Sequence, residues 1–283
     1  MGLRESHRKA MTRRIVGKVI LYLGLILLSS VVLVPLYAVV MNSFKNLAES
    51  AIITLEPPSE WHFENYATVI KDGNIPRAMG NGLFITLVTV VSVVICSSLA
   101  AFIISRRKCR TTRFAYLYLL IGMMAPIAVI PEMKIMQALH LSGSMAAIIF
   151  IHITVNLPFS TFIFSGFING VPNDLDESAI LDGCGPIRLF FQVIAPLLKP
   201  VIFTVVIVTF MNSWNDFQYG LYFLTRPEMY TMPLTVYAFK GHYTQSLNLL
   251  CGDLVLTMIP IVIVYLLAQK YIVSGMTAGA VKG

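Results

Sequence analysis

Apolar residues in this chain do not alternate with polar ones; they come in long unbroken runs. Val19 to Phe44 is 26 residues without a charge, and residues 78–105 form a second charge-free run. About 20 apolar residues cross roughly 30 Å of hydrocarbon as a helix. Backbone groups cannot go unpaired in lipid, so each such run should be helical. Six spans are expected, at roughly 17–40, 79–105, 114–137, 145–168, 200–224 and 252–272. The third contains Pro126 and Pro131 and the fifth contains Asp216, so the ends of both are poorly fixed by pattern alone. The expected fold class is all-α, a polytopic membrane protein with six transmembrane helices.

Composition supports that reading. Of 283 residues, 57% are hydrophobic and 12% charged, whereas soluble domains carry about 25% charged residues. Six spans and their loops use up the length, which leaves no room for a large soluble domain. The net charge of +7 could suggest nucleic acid, but the cations cluster at the ends of apolar runs. That is a topology signal, and it favours anionic membrane lipid as a partner with no role for nucleic acid. With the N-terminus inside, fifteen Lys and Arg fall on the cytoplasmic side against six outside. Both termini are therefore expected in the cytoplasm. The apolar run after the basic start is too long for a signal peptide and is expected to stay as a first span. The expected divisions are a cytoplasmic N-terminus at 1–16, a transmembrane domain at 17–275 and a cytoplasmic tail at 276–283.

Four cysteines (Cys96, Cys109, Cys184, Cys251) show neither metal nor redox spacing. The longest outer loop, about 42–78, carries Glu49, Glu56, Glu60, Glu64, Pro57-Pro58 and Trp61; Trp61 and Tyr66 suit interfacial anchors. One segment cannot lie in lipid at all. "DESAILDGCGPIRLFFQVIAPLLKP" (176–200) lies in a polar loop, 172–199, with acids at Asp174, Asp176, Glu177 and Asp182. Pro172 should stop the preceding helix, and Asn173 or Asp174 should cap a new one. Asp174 and Glu177 have capping-box spacing, and Gly183 suits a left-handed C-terminal residue. Gly185-Pro186 should then turn the chain into an amphipathic helix that feeds the fifth span. Residues alone are also consistent with an ordinary cytoplasmic loop.

The spacing of this segment resembles the EAA motif of bacterial ABC-importer permeases. Glu177-Ser178-Ala179, then Asp182-Gly183, then Ile194 and Pro196 follow that pattern, with Ser178 in place of Ala and Ala195 in place of Leu. "MNSFK" (41–45), Asn65-Tyr66, "IPEMKIMQALHLSGS" (130–144), "SWNDF" (213–217) and "YIVSGMTAGAVKG" (271–283) extend the resemblance over the whole chain. Together they are similar to maltose-type carbohydrate permeases, the second and smaller of the two in such systems. The resemblance implies a type I permease fold in the bacterial inner membrane. It implies partners: a paralogous permease, a dimer of ATP-binding subunits and an extracytoplasmic sugar-binding protein. Glu177, Ser178, Ala179, Asp182 and Gly183 would belong to a coupling helix docked on the ATPase. Gly279, Val281 and Lys282 of the tail would reach the interface of the ATP-binding dimer, although composition alone describes a frayed terminus. ATP and Mg would be held by the partner, and this chain would carry no cofactor of its own.

The chain has no Walker, H-E-x-x-H or G-x-S-x-G pattern, so it is not expected to be an enzyme, nor to bind metal. Asp216, inside an expected span, costs roughly 2.5–3.5 kcal/mol if it faces lipid. With Asn212, Trp214 and Asn215 it would line a sugar path or form a polar clasp between two permeases. His152 is expected to be a packing residue and Asp253 a solvated helix start. The alternative function is a stand-alone ion-coupled secondary transporter, which would need inverted repeats with broken helices; a membrane-embedded enzyme is a third reading with too few candidate groups.

Overall fold

The computed structural model describes residues 2–124, 128–236 and 246–280; the side chains of 2–14, 268 and 270–280 lie outside the description. The described residues are mostly helical, with a long irregular connection at 44–63. The helices are α1 (Gly2–Ser43), α2 (Glu64–Asp72), α3 (Ile75–Arg106), α4 (Arg110–Met124), α5 (Val129–Ala138) and α6 (Met145–Ile168). They continue with α7 (Asp174–Leu181), α8 (Pro186–Arg188), α9 (Ala195–Leu197), α10 (Lys199–Trp214), α11 (Gln218–Phe223) and α12 (Leu247–Ala280). Among the described residues, Ile15–Ser43, Ile75–Arg106, Met145–Ile168 and Leu247–Leu267 are long and apolar enough to cross a membrane. A fifth crossing would be the pair Pro186–Leu197 and Lys199–Trp214, bent by 81°.

Two of the expected spans have a different form. The region 114–137 is occupied by α4 and α5, and Pro126 lies between them, outside the described residues. The fifth span ends at Trp214 and not at 224. The helix expected after Gly185-Pro186 is also not a regular one. Between α8 and α9 the chain is wound as a π-helix over Leu189–Ile194.

The chain divides into two compact units, Met1–Asp72 with Ala238–Val255, and Gly73–Tyr237 with Leu256–Gly283. In the first unit, the side chains of α1 are exposed through most of its apolar length. Its C-terminal end is a hydrogen-bonded hub built from the motifs "MNSFK" and Asn65-Tyr66. Asn65 Nδ2 donates to the carbonyls of Ser43 and Lys45, both at 2.9 Å. Asn248 Nδ2 donates to Asn65 Oδ1 at 3.2 Å. Ser43 Oγ meets the Tyr66 hydroxyl at 2.8 Å, and Lys45, 3% exposed, donates Nζ to Thr54 Oγ1 at 2.6 Å. These bonds satisfy most of the buried polar groups of the hub, as burial requires, while the Oδ1 atoms of Asn42 and Asn248 are buried without a hydrogen bond. Asp253 belongs to this unit and corrects an expectation. The last helix begins at Leu247, so Asp253 is almost two turns inside it and 1% exposed, not a solvated start.

In the second unit α3 and α6 form the backbone of the fold, with α10 packed on α3. Ile85, Thr86, Thr89, Val90, Val93, Ser97 and Ala101 recur along one face of α3, all buried. α6 buries Ser160, Thr161 and Ser165. Small and hydroxylated residues let membrane helices approach closely, where lipid offers no hydrophobic drive for association. Two apolar cores result. One joins Ile85, Ile148, Ile151, Tyr219 and Phe223; the other joins Val93, Ala101, Phe164, Ile194 and Val201.

Candidate functional site

The polar segment forms α7, and its end follows the expected rule. Gly183 has φ +82°. Its N–H donates to the Ile180 carbonyl and that of Cys184 to the Ala179 carbonyl, both at 2.9 Å. This is the Schellman pattern, which satisfies the last carbonyls of the helix. The start differs from expectation. Asn173 has helical backbone angles and makes no side-chain cap. Ser178 Oγ donates to the Asp174 carbonyl at 2.7 Å, and no capping box forms.

Asn173 is engaged elsewhere. Arg106, the last residue of α3, donates Nη1 to Asn173 Oδ1 at 2.6 Å and to the Val171 carbonyl at 3.2 Å. Its Nε lies 2.6 Å from Asp176 Oδ2, with both side chains nearly buried. Arg106 thus occupies the side chain of Asn173, one of the two expected caps, and touches neither Asp174 nor Glu177. Arg106 Nη2 also donates to Asp176 Oδ1 at 3.3 Å, so an ion pair and three hydrogen bonds tie the start of α7 to the end of α3. The run Arg106–Arg113 had carried only topological meaning in the sequence, and its first residue is the anchor of the segment.

What α7 presents outward is mixed. Glu177, Ser178, Asp182 and Gly183 are exposed, while Ala179 is buried at 8%. Leu181 is 88% exposed and Ile187 76%, beside Ile180 and Leu175. Large aliphatic side chains therefore stand open beside acids on this face.

The second cluster lies where α10 ends. Asp216 follows the last turn of α10 and is not inside a helix. Its Oδ1 accepts the Tyr219 N–H at 3.0 Å and its Oδ2 the Gly220 N–H at 2.9 Å, which caps α11. Its Oδ2 is also 3.4 Å from His152 Nε2, with the two side chains 9% and 4% exposed. Asn212 Nδ2 donates to Asn156 Oδ1 at 3.0 Å, and Asn156 Nδ2 to the His152 carbonyl at 2.8 Å. A polar clasp exists, and it joins α6 to the end of α10 within this one chain. Trp214 is 2% exposed. Its indole stacks on Phe210 with ring centroids 5.8 Å apart and donates Nε1 to the Thr257 carbonyl at 3.3 Å. A Cβ on Gly82 would come within 3.3 Å of its ring. Of the four candidate path residues, Asn212 and Asn215 are exposed and Trp214 and Asp216 are enclosed by their own chain. In the tail, Gly279 belongs to α12, while Val281 and Lys282 lie outside the described residues. Among the described residues no group of three or more His, Cys, Asp or Glu is placed to hold a metal.

Comparison with known proteins agrees with this architecture. The chain is 31% identical over 266 residues to the probable starch degradation products transport system permease protein AmyC of Thermoanaerobacterium thermosulfurigenes, covering 92% of this chain and 95% of that one. It is 31% identical over 274 residues to the arabinooligosaccharides transport system permease protein AraQ of Bacillus subtilis, covering 95% and 97%. Its fold matches a chain in the crystal structure of a bacterial ABC transporter involved in import of the acidic polysaccharide alginate. That match has a TM-score of 0.79 at 22% identity and covers 91% of this chain and 96% of the other. Residues 94–278, which contain α7, the Asp216 clasp and α12 up to Met276 and beyond, match the model of the binding-protein-dependent transport system inner membrane component, and the chain belongs to that family.

Proposed function

We propose that this chain is one of two permease subunits of an ATP-driven importer that carries a carbohydrate across a bacterial inner membrane. Both of its termini face the cytoplasm. A paralogous permease completes the translocation path, a pair of ATP-binding subunits holds ATP and Mg, and an extracytoplasmic binding protein delivers the cargo. The chain itself catalyses nothing and holds no cofactor. Its relatives' names supply the class of cargo: starch degradation products, arabino-oligosaccharides, and melibiose, raffinose and stachyose.

The observation that carries this reading is the pairing of rigidity with exposure at α7. Arg106 fixes the helix to α3, and Leu181 and Ile187 stand uncovered beside Glu177 and Asp182. An element that transmits force must be stiff at one end and docked at the other. Glu177, Ser178, Ala179, Asp182 and Gly183 form that coupling surface, and Gly279, Val281 and Lys282 add a tail contact to the ATPase. A stand-alone transporter would have no partner for Leu181. In the path, the exposed amides of Asn212 and Asn215 bond sugar hydroxyls, while Trp214 and Asp216 hold the wall in shape.

The test is purification from the native membrane in mild detergent, with mass spectrometry of what accompanies the chain. A second permease and a Walker-containing ATPase are expected. Glu177→Lys and Gly183→Val should each abolish cargo-stimulated ATPase while the chain still inserts. A lone chain, or unchanged stimulation in both variants, would overturn the reading.

A further inference from the structure

The end of α3, the start of α4 and α6 line a half-open cavity of about 730 Å³ that the coupling surface does not use. Lys108, Arg110 and Arg113 line it, together with Ser105, Ser165 and Tyr116, and no carboxylate does. Arg106, whose charge is neutralised by Asp176, is not part of the lining. Three exposed cations therefore rim one concavity whose lining holds no carboxylate.

Two features make this more than a basic patch. First, α4 has 15 residues and begins here. Its first helical hydrogen bond is donated by Arg113 to the Cys109 carbonyl at 3.1 Å, so the N–H groups ahead of it have no acceptor within the helix. They and the helix dipole favour an anion. Second, Ser165 of α6 is 2% exposed, lines the cavity, and its hydroxyl has no hydrogen-bond partner. The Ser105 hydroxyl, on the opposite helix, is also buried and unpartnered. Buried hydroxyls are normally satisfied. Phosphate oxygens would satisfy both while meeting the cations.

A second, apolar concavity lies against the same two helices. A groove of about 410 Å³ runs between α3 and α4 and shares Ile104 and Thr112 with the cavity. The rest of its lining includes Ala100, Ile103, Ala115, Tyr118 and Leu119. A free phosphate would need only the basic chamber. A basic cavity beside an apolar groove, with Ile104 and Thr112 common to both, at the end of a membrane span, fits a molecule with an anionic head and a hydrocarbon tail. We propose that this chamber and groove bind one anionic phospholipid, its phosphate among Lys108, Arg110, Arg113 and Ser165 and an acyl chain between α3 and α4. Because Arg106 and the chamber lie on the same short stretch of chain, the lipid also braces the joint that holds α7.

The experiment is native mass spectrometry of the delipidated full chain, or its complex, titrated separately with phosphatidylglycerol, phosphatidylcholine and inorganic phosphate. Phosphatidylglycerol should bind at least about tenfold more tightly than phosphatidylcholine, and Arg110→Gln and Arg113→Gln should each weaken it about fivefold, as roughly one removed surface cation does. Ser165→Val should weaken phosphatidylglycerol without changing phosphatidylcholine. Ala115→Phe, which fills the groove, should weaken phosphatidylglycerol and leave phosphate binding intact. Arg188→Gln, at a cation outside the chamber, should change nothing. Equal affinity for the two lipids would overturn the proposal, as would an equal loss in Arg188→Gln. Stripping of phosphatidylglycerol by excess phosphate, with no effect of Ala115→Phe, would reduce the site to a plain anion site and also overturn it. The exposed Arg110 and Arg113 keep the test decisive if Ser165→Val does not fold.

Discussion

Arg106 and Asp176 are seventy positions apart in sequence and 2.6 Å apart in space, Nε to Oδ2, with side chains 14% and 13% exposed. The pair joins the end of the longest central helix to the helix that presents Leu181 and Glu177. Removing one partner leaves a nearly buried charge alone, which costs about 3–5 kcal/mol when burial is complete and less with this residual exposure. Arg106→Ala should therefore lower the melting temperature and reduce coupled transport, because α7 loses its angle as well as its tie. Arg106→Ala with Asp176→Ala should regain part of the stability, with a coupling energy of about 1–3 kcal/mol in a double-mutant cycle, but not the transport. Thermal melting and vesicle uptake on the four proteins check both halves. Full transport in the double variant would show that the tie serves stability only.

Much of this geometry was legible in the chain, and the rest was hidden for physical reasons. The uninterrupted runs behind α1, α3 and α6 needed only the cost of unpaired backbone in lipid. Gly183 was legible because only glycine takes φ +82° without strain. The start of α7 was only partly legible, because the Asn173 side chain is taken by an arginine from another helix, which also pairs with Asp176, and a pairing so remote leaves no trace in one sequence. Asp216 looked like a charge within a span. Local pattern does not reveal that α10 stops two residues before it and that the carboxylate caps the next helix. Trp214 offered an aromatic face for a sugar, yet its ring is taken by Phe210 and by the space that Gly82 leaves open.

That placement separates two neighbours in one motif. Trp214→Ala would empty the site of a 2% exposed indole, and such truncations cost about 3–5 kcal/mol. Its effect should appear as lost thermal stability and lower membrane abundance, with the apparent uptake affinity of the surviving protein unchanged. Asn215→Ala removes an exposed amide whose one donated bond here is to the Met211 carbonyl of its own helix. Its stability should change by less than about 0.5 kcal/mol, while its apparent affinity for cargo weakens several-fold. Uptake curves normalised to folded protein distinguish them. Normal affinity in Asn215→Ala would remove this residue from the path.

The four cysteines give a direct reading of orientation and of the joint between α3 and α4. Cys109 lies between these helices and is exposed. The Thr112 hydroxyl, 3.5 Å from its sulfur, lowers the pKa of the thiol below its ordinary value. A lower pKa leaves more thiolate at a given pH, and the thiolate is the species that reacts. Cys96 is exposed but lies within the span of α3, Cys251 is buried, and Cys184, which is half-buried, is replaced by Ser for this assay. A membrane-impermeant maleimide should therefore label Cys109 quickly in inside-out vesicles and not in right-side-out ones, if both termini are cytoplasmic. Thr112→Val should slow that labelling near neutral pH, and raising the pH should restore the rate, because the variant thiol needs a higher pH to reach the same thiolate fraction. Bound anionic lipid would protect Cys109 as well, since its side chain lines the same chamber as Arg110 and Arg113. Labelling from the outer face would reverse the topology, and a Thr112→Val rate equal to wild type at every pH would separate the thiol from its hydroxyl neighbour.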